Sequence, residues 1–311
     1  MNPPPILVVG SFVQDLTFST DRFPSPGETV VGRFLTGPGG KGSNQAVAAR
    51  RAGAEVVFAG AVGDDAFAHD VREFYRTEGI ETALAVYPDE ATGTAGILFD
   101  RTGQNEIVVA LGANDRIQPG DVPDALIERA GLVVCQLECN LATVADVLAR
   151  AGRMGKTRIL NPAPLREDLS PEMLDLAEIL LPNESEFAAL AALRGIGLPA
   201  DTPLAGLPPG RLDELCRSIG NGTMIVTLGS AGAHLSTKDG FERVPAVGGI
   251  RVVDTTGAGD AFAGAFAAGF QRFGGDLSEA VRFANRAAAI SVTRKGTAPA
   301  MPTLAEIGIA G

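Results

Sequence analysis

Asp254-Thr255-Thr256-Gly257-Ala258-Gly259-Asp260 runs straight into Ala261-Phe262-Ala263-Gly264, and the reading of this stretch decides the fold. It predicts a strand ending near Val253, a turn of small residues and a helix over about Gly259–Arg272. Backbone N–H groups at such a helix start have no partner within the helix and carry the positive end of its dipole. Gly257, Ala258 and Gly259 carry little or no side chain, so an anion can approach the main chain. The unit is a cradle for a phosphoryl group of growing negative charge. Asp260 sits at its rim, where a carboxylate can take a proton from an attacking hydroxyl. Standing alone, Asp260 reads equally well as a helix cap.

Outward from this turn, apolar runs alternate with helical patterns. Ile6–Gly10, Val56–Ala61, Leu132–Gln136, Arg158–Leu160, Ile179–Leu181 and Thr223–Leu228 read as buried strands. Helices are expected over Asn44–Ala52, from Asp64 to about Thr77, over Leu141–Met154, from near Glu184 and over Leu277–Thr293. Short β segments should continue to Val253, and Leu193–Pro209 reads as a Gly/Pro-rich surface loop. Ala83–Tyr87, Thr94–Asp100 and Glu106–Ala110 break the alternation as three short strands. The expectation is a single α/β domain over residues 1–311, three-layered, with a central mostly parallel sheet flanked by helices. A small antiparallel β insert, about residues 12–36 plus 83–111, would sit over one edge as a lid. Sites in such sheets lie at the carboxyl ends of the strands.

Three further clusters follow strands. In Gly39-Gly40-Lys41-Gly42-Ser43-Asn44-Gln45, Lys41 and Asn44 stand three apart at a helix start and can reach one polar ligand, although a glycine loop with a solvated lysine fits as well. This run is not a P-loop: Gly42 follows Lys41, and position 35 is Leu. Asn183-Glu184-Ser185-Glu186 reads as a helix cap with acidic first-turn residues or as a ligand-organising corner. Thr227-Leu228-Gly229-Ser230-Ala231-Gly232 is a strand end breaking into a glycine turn.

Composition narrows the function. The 311 residues carry 26 Lys+Arg against 37 Asp+Glu, a net charge of −11, which disfavours nucleic acid and anionic membrane as partners. No apolar run approaches the ~20 residues of a membrane span, and Met1–Gly10 lacks the basic and apolar regions of a signal peptide. Cys135, Cys139 and Cys216 cannot build a disulfide framework, so a reducing cytoplasm is expected. His69 and His234 stand apart from any ligand-spaced partner, which argues against a zinc centre or a Ser-His-Asp triad.

Together the clusters resemble the ribokinase-like sugar kinases, the PfkB carbohydrate kinase family, and its ribose-phosphorylating members most. The likeness extends in order through Pro24–Thr29, Gly60–Asp65, Cys135–Glu138, Asn161–Pro164, Pro182–Glu186 and Thr293–Gly296. It implies ATP-dependent phosphorylation of the primary O5 hydroxyl of D-ribose, with Asp260 as base and Gly257-Ala258-Gly259 as anion hole. It places Val13, Asp15, Gly39, Gly40, Lys41, Asn44 and Glu138 on the sugar. Asn183 and Glu186 would organise phosphates and, indirectly, Mg²⁺. Thr227, Gly229, Ser230, Gly232, Gly259 and Asn285 would hold the nucleotide. Asp254 and the carbonyls of Thr256, Ser291, Arg294 and Gly296 would form a K⁺ loop. Val13 replaces the family's Asn and Ala300 its Ser ligand to the monovalent ion, which keeps kinases of fructose, ketodeoxygluconate or nucleosides in view. A non-catalytic sugar sensor would be expected to have lost Asp260 or the glycines. Apolar residues of the lid, Val30, Phe34 and Ile97, predict a homodimer joined there.

Overall fold

The computed structural model describes residues 3–199, 202–220 and 222–308. Its thirteen strands are β1 Ile6–Val9, β2 Val13–Ser19, β3 Arg33–Gly39, β4 Val56–Val62, β5 Glu81–Val86, β6 Thr94–Phe99, β7 Asn105–Ala110, β8 Leu132–Cys135, β9 Thr157–Leu160, β10 Ile179–Leu180, β11 Thr223–Thr227, β12 Ala233–Thr237 and β13 Gly240–Val244. The helices are α1 Lys41–Arg51, α2 Ala66–Glu78, α3 Asp124–Arg129, α4 Leu141–Arg153, α5 Pro171–Asp175, α6 Glu184–Leu193, α7 Pro209–Ile219, α8 Ala258–Arg272, α9 Leu277–Ser291 and α10 Leu304–Ile307.

Nine strands form one sheet in the order β13-β12-β11-β10-β9-β8-β1-β4-β5. It is parallel from β11 to β5 and antiparallel at β12 and β13. Strands β1, β4 and β8 are buried throughout, as uninterrupted apolar runs require when helices cover both faces. Alternate residues of β1 feed opposite layers: Ile6 and Val8 join the core under α1, α8 and α9, and Leu7 and Val9 the core under α4, α6 and α7. Chain order reverses at β1, between β4 and β8, which opens a crevice at their carboxyl ends.

A second sheet of four strands, β3-β2-β6-β7, stands beside that crevice. Its pairs β2/β3 and β6/β7 are antiparallel, and its central pair β2/β6 is parallel. Fully buried Asn114 ties the chain segments that enter and leave it. Its Oδ1 accepts from Phe12 N at 3.1 Å, and its Nδ2 donates to Phe12 O and Leu111 O at 2.7 and 2.9 Å.

Several boundaries depart from the sequence reading. The strand expected at Ala83–Tyr87 is β5, which pairs in parallel with β4 and closes the large sheet; it is not part of the insert. No strand precedes Asp254. The β segments end at Val244, and Val253 N donates to the Val292 carbonyl at the end of α9. α1 begins at Lys41, ahead of Asn44, because Gly40 adopts a φ of 89° and turns the chain directly out of β3. The cap of α2 is Asp65, not Asp64. Within the expected loop 193–209 there is one short turn of 3₁₀ helix, Leu204–Gly206, and residues 200 and 201 lie outside the described set.

The helices α1 and α8 meet almost backbone to backbone. A Cβ on Gly264 would lie 2.3 Å from Gln45 O and 2.9 Å from Ala49 N, so only glycine fits there. Gly264→Val should cost about 1–3 kcal/mol by overpacking, read as a lower midpoint in urea. An unchanged midpoint would mean the helices can separate freely.

Candidate active site

Asp260 lies in the first turn of α8, but it does not cap the helix. The cap position is Gly257, at φ 75°, and no side chain bonds to the helix start. Ala258 N donates to the Thr255 carbonyl at 3.2 Å, and the N–H groups of Gly259 and Asp260 are left for a ligand. The Asp260 carboxylate is held from α1 instead: Asn44 Nδ2 donates to Oδ2 at 3.1 Å and Gln45 Nε2 to Oδ1 at 3.0 Å.

Two clefts meet here, and Lys41, Gly257 and Asp260 line both. The smaller, about 140 Å³, is bounded by Asn161, Asn183, Glu186, Thr227, Thr255, Ala258 and Gly259. The larger, about 550 Å³, opens beneath the small sheet. Its polar wall includes Asp15, Asn44, Glu138, Arg166 and Asp115, with Gly40 at its floor; its apolar wall is Val13, Ala95, Ile97, Ile107 and Val109.

Glu138 follows β8 and is fixed by what precedes α1. Its Oε2 accepts from Ser11 Oγ at 2.5 Å and from Lys41 N at 2.8 Å. A carboxylate at the first N–H of α1 also suits the helix dipole. Gly39 makes room for Asp15: a Cβ there would lie 2.4 Å from the Asp15 carboxyl. Burial, with the charges of Glu138 and Asp260, pushes Asp15 up to about 7. The carboxylate of Asp260 raises Lys41 against the effect of its burial, aided by Glu138 and Glu186, so its ammonium stays charged. Burial raises Glu186.

Asn183 and Glu186 cap a helix, as their motif allows. They form a reciprocal capping box at the start of α6, and both side chains border the smaller cleft. Thr227 reaches that cleft, whereas Gly229, Ser230 and Gly232 form the turn beyond β11 and line neither cavity. Asn285 is buried on α9 and donates to the carbonyls of Val244 and Pro245 at 3.3 and 3.1 Å, tying the end of β13. Asp254 joins two loops, accepting from Thr256 N at 2.9 Å and Gly296 N at 3.0 Å. Burial opposes its ionisation, but these bonds outweigh burial and hold it below the ordinary carboxylate value. Ser291 and Arg294 stand near, with Arg294 N donating to the Ser291 carbonyl.

Gln45, Asn161, Ser11, Thr255, Arg166 and Asp115 belong to the site or its support and were not singled out from sequence. Gln45 and Asn161 sit inside quoted motifs, which was the available signal. Nothing in the local pattern marks Arg166, which reaches the large cleft from the loop after β9 and is held by Asp168 at 2.9 Å and Asp115 at 3.5 Å.

The position of Asp15 predicts a pH effect on stability. Its pKa in the folded protein lies above the ordinary 3.8, so its contribution favours folding at low pH and is lost as pH rises through about 7. Asp15→Asn should therefore gain thermal stability relative to the parent as pH rises between those values. A difference in Tm that is constant with pH would show that Asp15 is not desolvated.

The pattern of the pfkB family of carbohydrate kinases matches residues 4–304. A ribokinase of Bacillus subtilis is 39% identical over 306 residues, covering 97% of this chain and 97% of its own length. A deoxyribokinase of Salmonella typhi is 35% identical, covering 96% of each. The solved structure of Arabidopsis thaliana ribokinase complexed with ribose and ATP superposes with a TM-score of 0.83 at 30% identity, covering 99% of this chain and 98% of that one. Family, fold and the pairing of two clefts at one carboxylate agree: the chain belongs to the pfkB family of carbohydrate kinases and is a sugar kinase that transfers phosphate from ATP.

Proposed function

We propose that the protein is a ribose kinase that phosphorylates O5. The observation that carries this reading is the position of Asp260, where the two clefts join and beside the uncapped start of α8. The sugar occupies the larger cleft. Asp15, Lys41, Asn44 and Glu138, with the main chain at Gly39 and Gly40, hold its hydroxyls, and Val13 packs against its carbon skeleton. ATP reaches the smaller cleft with its γ-phosphate against Gly257, Ala258 and Gly259. Asp260 takes the O5 proton as O5 bonds to the γ-phosphorus, the bond to the β-phosphate oxygen breaks, and ADP leaves. Charge stabilisation and alignment supply most of the rate. The small sheet keeps bulk water from the phosphoryl group.

Among the described residues no three His, Cys, Asp or Glu side chains form a metal-holding group. Mg²⁺ would arrive with the nucleotide phosphates, whose charge it would neutralise, and Glu186 and Asn183, which border the smaller cleft, would help to hold it there. Thr227 and the turn through Gly229, Ser230 and Gly232 flank the nucleotide, and Asn285 supports that wall. Ionised Asp254, with carbonyls of Thr256, Ser291, Arg294 and Gly296, suits K⁺. Ala300 offers it no side-chain oxygen. The three buried, unbridged thiols suit a reducing cytoplasm, and no described helix is long and apolar enough to cross a membrane.

ADP release should be measured over ribose, deoxyribose, fructose, ketodeoxygluconate and nucleosides, with and without K⁺. Ribose should give the highest kcat/KM, and K⁺ should raise it. Preference for another of these substrates would replace ribose by that one. Asp260→Asn should keep ATP binding and lose at least about a hundredfold in turnover; near-parental turnover would remove Asp260 from the base role.

The small sheet also exposes apolar side chains, and of the three expected only Phe34 is among them. Phe34 is 52% exposed and pairs with Phe18, while Val108 is 77% exposed. Val30 is half-buried outside the strands, and Ile97 faces the large cleft. Apolar surface of this kind invites a second copy, and a homodimer through the small sheets follows. Light scattering should give twice the chain mass; Phe34→Asp should give the monomer.

A further inference from the structure

We propose that Gln45 is a positioning residue that fixes the orientation of the Asp260 carboxylate through an amide relay with Gln136 and Asn161. The inference rests on the reading of Asp260 as the base. Gln45 and Gln136 are fully buried, and neither lines a cleft. Gln136 follows β8, Gln45 lies on α1, and Asn161 follows β9.

The bonds form one directed chain. Gln136 Nε2 donates to Gln45 Oε1 at 2.7 Å. Gln45 Nε2 then donates to Asp260 Oδ1 at 3.0 Å and Asn161 Oδ1 at 2.9 Å. Asn161 commits its own Nδ2 to the Leu181 carbonyl at 2.8 Å, so its oxygen must face Gln45. Reversing the Gln45 amide would set its oxygen against two buried acceptors and its NH₂ against the NH₂ of Gln136. The observed arrangement leaves only Gln136 Oε1 of this relay without a partner, whereas the reversed Gln45 amide would strand donors and acceptors at all three of its contacts, so one orientation of Gln45 remains.

Asp260 is thereby bound on both oxygens by amides of different function. Asn44, on Oδ2, lines the large cleft and is open to a ligand; Gln45, on Oδ1, is sealed behind it. The carboxylate cannot swing away from the cleft without breaking the Gln45 bond. Oδ2 is left as the oxygen that meets the alcohol. A donor to a carboxylate also favours its ionised form, which is the form a base needs.

Gln45→Leu keeps the approximate volume and removes the amide. Its kcat should fall about 10- to 100-fold, with KM for sugar and ATP within about threefold of the parent. The acid limb of its kcat–pH profile should move to higher pH. Gln136→Leu touches neither Asp260 nor a cleft, and should shift both in the same direction by a smaller factor; it decides the matter if Gln45→Leu does not fold. An unchanged kcat and pH profile in a folded variant, or a rise in KM alone, would overturn the inference. Asp260→Asn measured alongside separates the cases. An active Asp260→Asn removes the base reading itself, whereas an inactive one beside an unaffected Gln45→Leu removes only the relay.

Discussion

The close approach of α1 and α8 at Gly264 is the contact on which the site depends. A helix pair separated by ordinary side chains would hold Asn44 and Gln45 out of reach of Asp260. With no Cβ on Gly264, the backbone of α8 sits against the backbone of α1 at Gln45 and Ala49. Short amide side chains can then span from one helix to the other. The Gly- and Ala-rich compositions of both helices follow from this need for proximity, and so does their deep burial.

Charge is arranged around the same contact. Glu138, Glu186 and Asp260 act on a single ammonium, that of Lys41, and Asp15 feels the charges of Glu138 and Asp260. Burial resists the ionisation of Asp15 and Glu186, and the raised value of Asp15 reflects that cost. The starts of α1 and α8 offset part of it. At α1 the first N–H is already occupied by Glu138, which fixes that carboxylate at the edge of the large cleft. At α8 the N–H groups are unclaimed by any side chain, which leaves that end available to an anion. Two helix starts of similar sequence thus serve opposite purposes, and the difference lies in which neighbour reaches them first.

The small sheet joins the body at four chain crossings, and Asn114 ties two of them. By bonding Phe12 ahead of β2 and Leu111 after β7, it holds the first entry and the last exit over the crevice at β1. The cleft-facing side chains of β2, β6 and β7 are thereby placed opposite Lys41 and Asp260.

Much of this was legible in the chain. Fully apolar runs of four to seven residues can only be strands buried on both faces, and Gly257 and Gly259 before an apolar helix can only be a close-approach turn. The alternation of strand and helix, the anion cradle and the Lys41–Asn44 corner therefore follow from local pattern. Helix α7 was not expected: the Gly/Pro-rich segment before it masked its start, although Leu212, Leu215, Cys216 and Ile219 have the spacing of one buried helical face. Other features were not local at all. Glu81–Val86 has the pattern of any short strand, and only its pairing with β4 places it in the large sheet. Ile250, Val252 and Val253 favour a strand locally but pair with none. The roles of Gln45, Gln136 and Arg166 depend on partners that include ones 51 to 215 positions away. Sequence determines what a segment can bury and which backbone shapes it tolerates; tertiary structure alone decides which polar atoms meet, because a hydrogen bond needs its two partners within about 3 Å, and chain order does not encode that distance.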